Sequence, residues 1–228
     1  MSIRLRLLFL FVSITLLNVK TIALPFRNHH LMYELYVTKS DTNKNPLAIF
    51  SPEWGQEKYQ DCNTAKAVSY MSEEEKKIIW ILNMIRTNPV LFCNSVLLNP
   101  HSSFFLYPKK RDYYFTSLIK TLMNINPIVE NLQPDRGAYE SAYCHAFYSG
   151  KKGYVGHRRS NGCKTDFHGE CCDYGYADAL NIVVDLLIDR DIPDLGHRKI
   201  MLSNAFTLMA ASIQAHSTYR YNSVLDFK

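Results

Sequence analysis

Beyond Leu17 the sequence has no apolar run long enough to span a bilayer comfortably. It has no Gly-x-Ser-x-Gly elbow, no His-Glu-x-x-His helix and no phosphate-binding glycine loop. Hydrolases and nucleotide-binding proteins that depend on those signatures are therefore excluded. Nor is there a strong charge of one sign: the net charge is +5, and the basic runs Lys109-Lys110-Arg111 and Lys151-Lys152 are short. Without regular aromatic interleaving, these read as solvated surface lysines, and no nucleic-acid partner is expected. What the chain does have is 228 residues that are 47% hydrophobic, enough for one core and too few for two large domains.

The first residues have the form of a secretion signal. Arg4 and Arg6 precede the apolar run from Leu7 to Leu17, and Thr21-Ile22-Ala23 offers small residues for cleavage after Ala23. An uncleaved anchor is the rival, and Lys20 close behind the run weighs against it. We expect residues 1–23 to be removed, leaving a secreted, extracellular monomer with no transmembrane span. In a secreted chain an even number of cysteines reads as a disulfide framework. All six are candidates: Cys62, Cys93, Cys144, Cys163, Cys171 and Cys172. The neighbours Cys171 and Cys172 are poorly placed to bond each other, so one of them could close a small loop with Cys163.

Residues 24–70 have no period and read as an N-terminal extension; His29-His30 within it is an exposed pair near a terminus. The folded domain is expected over 71–228. Ser72 with Glu75 forms a capping box, and Ile78, Ile81, Leu82 and Ile85 make one apolar helical face. Asn88-Pro89 ends that helix and starts another; 99–111 reads as loop, and a short helix covers 115–123. A further helix over 134–148 carries the ridge Ala138, Ala142 and Ala146, together with His145, read as structural or surface. After Gly175 an amphipathic helix runs to about Asp189. Its apolar stripe opposes Asp178, Asn181, Asp185 and Asp189, read as a solvated acidic face. Two strand-like runs, 206–215 and 219–227, form a closing hairpin. Helices first and paired strands last predict an α+β layer fold with a small antiparallel sheet.

Three polar groups stand out because each follows a glycine: His157, Glu170 and His197. A glycine lets the backbone turn sharply or approach a ligand closely. One helix-like segment separates the second from the third, so loops at its ends could bring them together. Two histidines and a carboxylate suit a divalent cation such as zinc with an open position, and equally suit a general-base pair. Asp189, at the helix end nearest His197, is the one aspartate placed to turn toward this cleft. A rival is a local structural zinc site from His157, Cys163, His168 and Cys171.

From about Ser72 onward the chain resembles the CAP superfamily, or SCP domain, which includes cysteine-rich secretory proteins, antigen-5-type venom proteins and plant pathogenesis-related proteins. Gly156-His157-x-x-Ser160-Asn161-Gly162 is similar to that family's Gly-His-x-x-x-Asp-Gly loop, and Gly169-Glu170 to its Gly-Glu-Asn-Ile. Gly196-His197-Arg198-Lys199 resembles the Gly-His-Arg-x-Asn-Ile of its bacterial-type branch, and Asn83, Arg86, Pro89 and Asp226-Phe227 fit too. The resemblance implies an α-β-α sandwich with an open cleft lined by His157, His197 and Glu170. The second family glutamate has no match; Asp189 is its nearest counterpart, and Cys171-Cys172 replaces Asn-Ile. It implies a non-enzymatic role, binding a sterol, another lipid or an extracellular protein, with a divalent cation held by His157, His197 and Glu170. A metal-dependent hydrolase using the same groups is the alternative.

Overall fold

The computed structural model describes residues 44–99, 112–159 and 162–228. The expected signal peptide, residues 24–43 of the expected extension, His29-His30, most of the 99–111 loop and Ser160-Asn161 lie outside the described residues.

The helix predicted at Ser72 is α1, Glu73–Thr87. Its capping box is closed both ways: Ser72 N–H donates to Glu75 Oε2 at 2.7 Å, and Glu75 N–H to Ser72 Oγ at 3.4 Å. The other oxygen of Glu75 accepts from Ile213 N–H at 2.7 Å, fixing the start of α1 to the sheet. The helix is not apolar on one face only. From Ile78 to Arg86 every residue is buried, because residues 45–65 cover its far side. Leu47, Trp54, Tyr59, Cys62 and Ala65 belong to the same core as Ile81, Ile85 and Phe227. The boundary expected at residue 71 is thus corrected. These residues lack a period because they are held by turns and single side-chain anchors. Trp80 Nε1–H donates to Tyr59 O at 2.7 Å, and Asn83 Nδ2–H to Cys62 O at 3.1 Å.

After Asn88 caps α2 (Pro89–Phe92), a π-helical turn covers Cys93–Leu97. Next come α3 (Tyr113–Asn124), β1 (Gln133–Pro134), α4 (Arg136–Lys152), β2 (Gly169–Tyr174), α5 (Ala179–Ile188), α6 (Gly196–Met201), β3 (Leu208–His216) and β4 (Arg220–Phe227). The closing hairpin is present, but the sheet is four-stranded and mixed, in the order β1-β3-β4-β2. Only β1 runs parallel to its neighbour, β3. β2 lies in a stretch whose Glu170 and Asp173 hide its strand character.

The sheet is covered on both faces, giving the α+β layering. Cys171, Met209, Ala211, Leu225 and Phe227 join the main core with α1 and α5. Cys172 and Val224, one residue out of phase, meet Ala142 and Ala146 of α4. The alanine ridge and Gly150 let α4 lie close to the strands: a Cβ at Gly150 would sit 2.1 Å from Ala215 O.

The disulfide framework is reduced to one bridge. Cys144 on α4 bonds Cys163, which also removes Cys163 from the structural-zinc rival. Cys62, Cys93, Cys171 and Cys172 are free and buried, so neither neighbour in the Cys171-Cys172 pair bonds Cys163. They sit in the core because their chain segments pack there, and a buried free cysteine behaves as a small apolar side chain. A thiol reagent without reductant should therefore label four cysteines after denaturation and essentially none in the native protein. Labelling of all six, or of none, in denaturant would contradict this pairing.

Candidate functional site

β2 carries Glu170 and Cys172 on the face turned to α4, where His145 lies buried. The loop leaving α4 returns over this spot and brings His157, whose Nδ1 lies 2.8 Å from Glu170 Oε1. The loop after α5 brings His197 to the other side, its ring centroid 6.0 Å from that of His157. The three glycine-preceded residues thus meet at one place, His157 and Glu170 in direct contact.

Asp189 does not line the cleft as a second open acid. Its side chain is fully buried, and Oδ1 lies 2.8 Å from His197 Nδ1. Oδ2 accepts from Arg198 N–H at 3.1 Å. Asp189 reaches this position from a left-handed backbone, φ 58°, at the end of α5. The expected solvated acidic face is also corrected. Asn181 and Asp189 are buried, and burial pushes the Asp185 carboxyl up to about 6.

Arg159 was missed as a site residue, since nothing local separates it from its neighbour Arg158. Its guanidinium forms an ion pair with Glu170 and a second with Asp226 at 3.1 Å. It also donates to Ser141 O at 2.9 Å and lies over the Phe167 ring. Asp226 accepts from Ser141 Oγ–H at 2.6 Å. Besides the family resemblance at Asp226-Phe227, the signal was a carboxylate set between the apolar Leu225 and Phe227 of a strand.

The charges follow from these contacts. Burial raises the Glu170 carboxyl, but the His157 hydrogen bond and the charges of Arg159 and His145 outweigh it, leaving it below the usual carboxylate range. The same hydrogen bond raises His157 above an ordinary histidine. Burial takes Asp226 up to about 7, against the pull of Ser141 and Arg159. Burial lowers His145 and lifts the Cys172 thiol well above its normal value. Cys172 is thus a protonated thiol at neutral pH and a poor nucleophile.

Comparison with protein-family models, with curated proteins and with solved structures finds no match.

Two donor arrangements could take a metal ion. Among the described residues, one buried set of three, His145, Glu170 and Cys172, has its donor atoms within 4.8 Å of one another. His145 Nε2 lies 3.0 Å from Gly156 O, so serving a metal would cost it that contact. The second arrangement is the His157–His197 pair. Each ring has Nδ1 against a carboxylate, and among the described residues neither Nε2 has a hydrogen-bond partner. A carboxylate behind a histidine fixes the tautomer and leaves the far nitrogen as a basic ligand. Two imidazoles on one tetrahedral ion have centroids about 5–6 Å apart, given metal–nitrogen distances of about 2.0–2.1 Å. The 6.0 Å separation falls at that limit. In this arrangement Glu170 orients His157.

Proposed function

We propose that the protein is a secreted, CAP-like binding protein that holds a divalent cation, zinc by its donor type, between His157 and His197. The observation that carries this reading is the pair of neighbouring imidazoles, ring centroids 6.0 Å apart, each backed by its own buried carboxylate. The sandwich layering and the convergence of the three glycine-preceded residues support the family resemblance. The Cys144–Cys163 bridge is compatible with an extracellular location, and no helix among the described residues is long and apolar enough to cross a membrane. Binding is favoured over hydrolysis through a covalent intermediate: Cys172 is buried and protonated, and the Ser141 hydroxyl is buried against Asp226.

The buried His145–Glu170–Cys172 set supports a second reading, a deep soft-metal site. Calorimetric titration with zinc separates the two. On the cleft reading, His157→Ala and His197→Ala each abolish binding, while His145→Ala and Cys172→Ser retain it. Glu170→Gln and Asp189→Asn weaken it by about 10–100-fold, the usual effect of removing a carboxylate behind a metal-binding histidine. Binding should also weaken as pH falls. Protons compete for His157 from above the ordinary histidine range, because Glu170 stabilises the imidazolium. Loss of binding in His145→Ala or Cys172→Ser alone would move the ion to the buried set. A wild-type protein that takes up no zinc would end both readings.

A further inference from the structure

Beyond the cleft, one surface of the described residues is basic and apolar together. From Ser141 through Thr165 the sequence contains no Asp or Glu, and neither does the stretch from Ser212 through Leu225. The fold brings these two stretches together. Ser217 N–H donates to Gly150 O at 2.9 Å, Tyr154 N–H donates to Ser149 O at 2.9 Å, and His216 Nε2 lies 3.1 Å from Tyr154 O. The Tyr174 ring, whose hydroxyl accepts from Gly156 N–H, lies 5.6 Å from the Tyr219 ring.

Around this junction Tyr154 is 59% exposed, Val155 57%, Tyr219 49% and Tyr148 46%. Lys151 and Lys152 stand beside them, both exposed. The nearby carboxylates of Glu170, Asp173 and Asp226 are buried. Among the described residues neither Lys151 nor Lys152 forms an ion pair, so their charge faces solvent.

We propose that this surface docks on an anionic phospholipid bilayer. Tyrosine suits the headgroup level, where its ring can be apolar on one side and its hydroxyl wet. Val155 and the Tyr154 ring, adjacent on a short loop between two glycines, are shaped to enter the boundary between headgroups and acyl chains. Lys151 and Lys152 supply the attraction to acidic lipid. A soluble polyanion would engage the lysines but leave Val155 and the rings without a partner, so the bilayer accounts for more of the surface. This inference stands apart from the cation reading and uses no cleft residue.

The test is co-sedimentation of the full chain with vesicles of phosphatidylcholine alone and with vesicles containing about one third phosphatidylserine. The protein should partition onto the second and not the first, and less so as salt is raised. Each lysine at an anionic surface contributes roughly fivefold in partition, so Lys151→Gln/Lys152→Gln should lose roughly thirtyfold. Tyr154→Ser/Val155→Ser should lose at least about tenfold, since apolar burial is removed. All four side chains are exposed, and circular dichroism checks that the variants fold. Arg136→Gln, at the other end of α4, should bind as wild type does. Equal binding to both vesicle types, or binding to neither, overturns the proposal. So does a Tyr154→Ser/Val155→Ser variant that keeps its vesicle binding while the lysine variant loses binding to soluble dextran sulfate; that result would assign the surface to a soluble polyanion.

Discussion

Asp173→Asn should remove a large alkaline loss of stability. Asp173 lies in β2, on the face opposite Glu170 and Cys172, beside Ser223 of β4. Among the described residues neither carboxylate oxygen meets a hydrogen-bond partner at full geometry, the Tyr174 amide being the nearest donor, and the buried Ser223 hydroxyl likewise has none. Burial pushes the carboxyl up to about 8, with Asp178 adding to the rise and the Tyr174 amide opposing it. In the unfolded chain the same group titrates at about 3.9. Between those values the native state holds a proton that the unfolded state has released, so stability falls as pH rises through the window. The stabilisation from the protonated form is complete below about pH 4 and gone above about pH 8, a change of order 5 kcal/mol at its upper bound. Asparagine cannot ionise. In urea denaturation, wild type should lose several kcal/mol relative to the variant between pH 4.5 and 8.5 (chosen to bracket roughly the titration range). Parallel profiles for the two proteins would show that Asp173 is solvated or partnered in solution.

Trp54→Ala should destabilise the protein by about 3–5 kcal/mol, a large share of a typical total of about 5–15. Trp54 is completely buried, 4.7 Å from the Tyr59 ring, and its Nε1–H donates to Ser95 Oγ at 3.0 Å. Its carbonyl accepts from Asn45 Nδ2–H at 2.6 Å, so the indole position also orders the chain that leads into it. Truncation leaves a cavity beside Tyr59 in the main core, and the Ser95 hydroxyl, which still donates to Leu91 O at 2.7 Å, loses the donor it accepts from. A thermal melt should fall by roughly 10 °C. Trp54→Phe, which keeps most of the ring volume, should recover the larger part. A change of less than about 1 kcal/mol would return residues 45–65 to the status of an appendage.

These two cases mark what the sequence could and could not convey. Where a helix has local chemistry, its start was legible: Ser72 with Glu75, and Asn88 before Pro89. The hairpin at Ser217 was legible because strand alternation surrounds a turn. Residues 45–65 were not, because isolated anchors such as Trp54 and Asn45 leave no period. β2 was not, because a strand buried on both faces that carries Glu170 and Asp173 matches neither the apolar run nor the alternating pattern. At the site, His157, Glu170 and His197 were visible through their glycines. Asp189 was placed correctly at the helix end nearest His197, but as an open acid, because a helical wheel cannot show a left-handed residue turning back to cap a histidine. Arg159 and the Cys144–Cys163 pairing depend on contacts across the fold, which no local pattern encodes.

The strand order also bears on how the chain is made. Among the described residues β2 pairs only with β4, which comes last of the four strands along the chain. As the polypeptide leaves the ribosome, the segment with Glu170 therefore waits for residues 220–227 before it gains a ladder partner. Asp226, the second anion for Arg159, arrives in that same segment. A nascent chain stalled before residue 220 leaves the strand of Glu170, Cys172 and Asp173 without its pairing partner. Synthesis proceeds at about 5–20 residues per second, so that interval lasts a few seconds. During it the chain exposes an unpaired strand edge, the kind of surface on which other chains can pair.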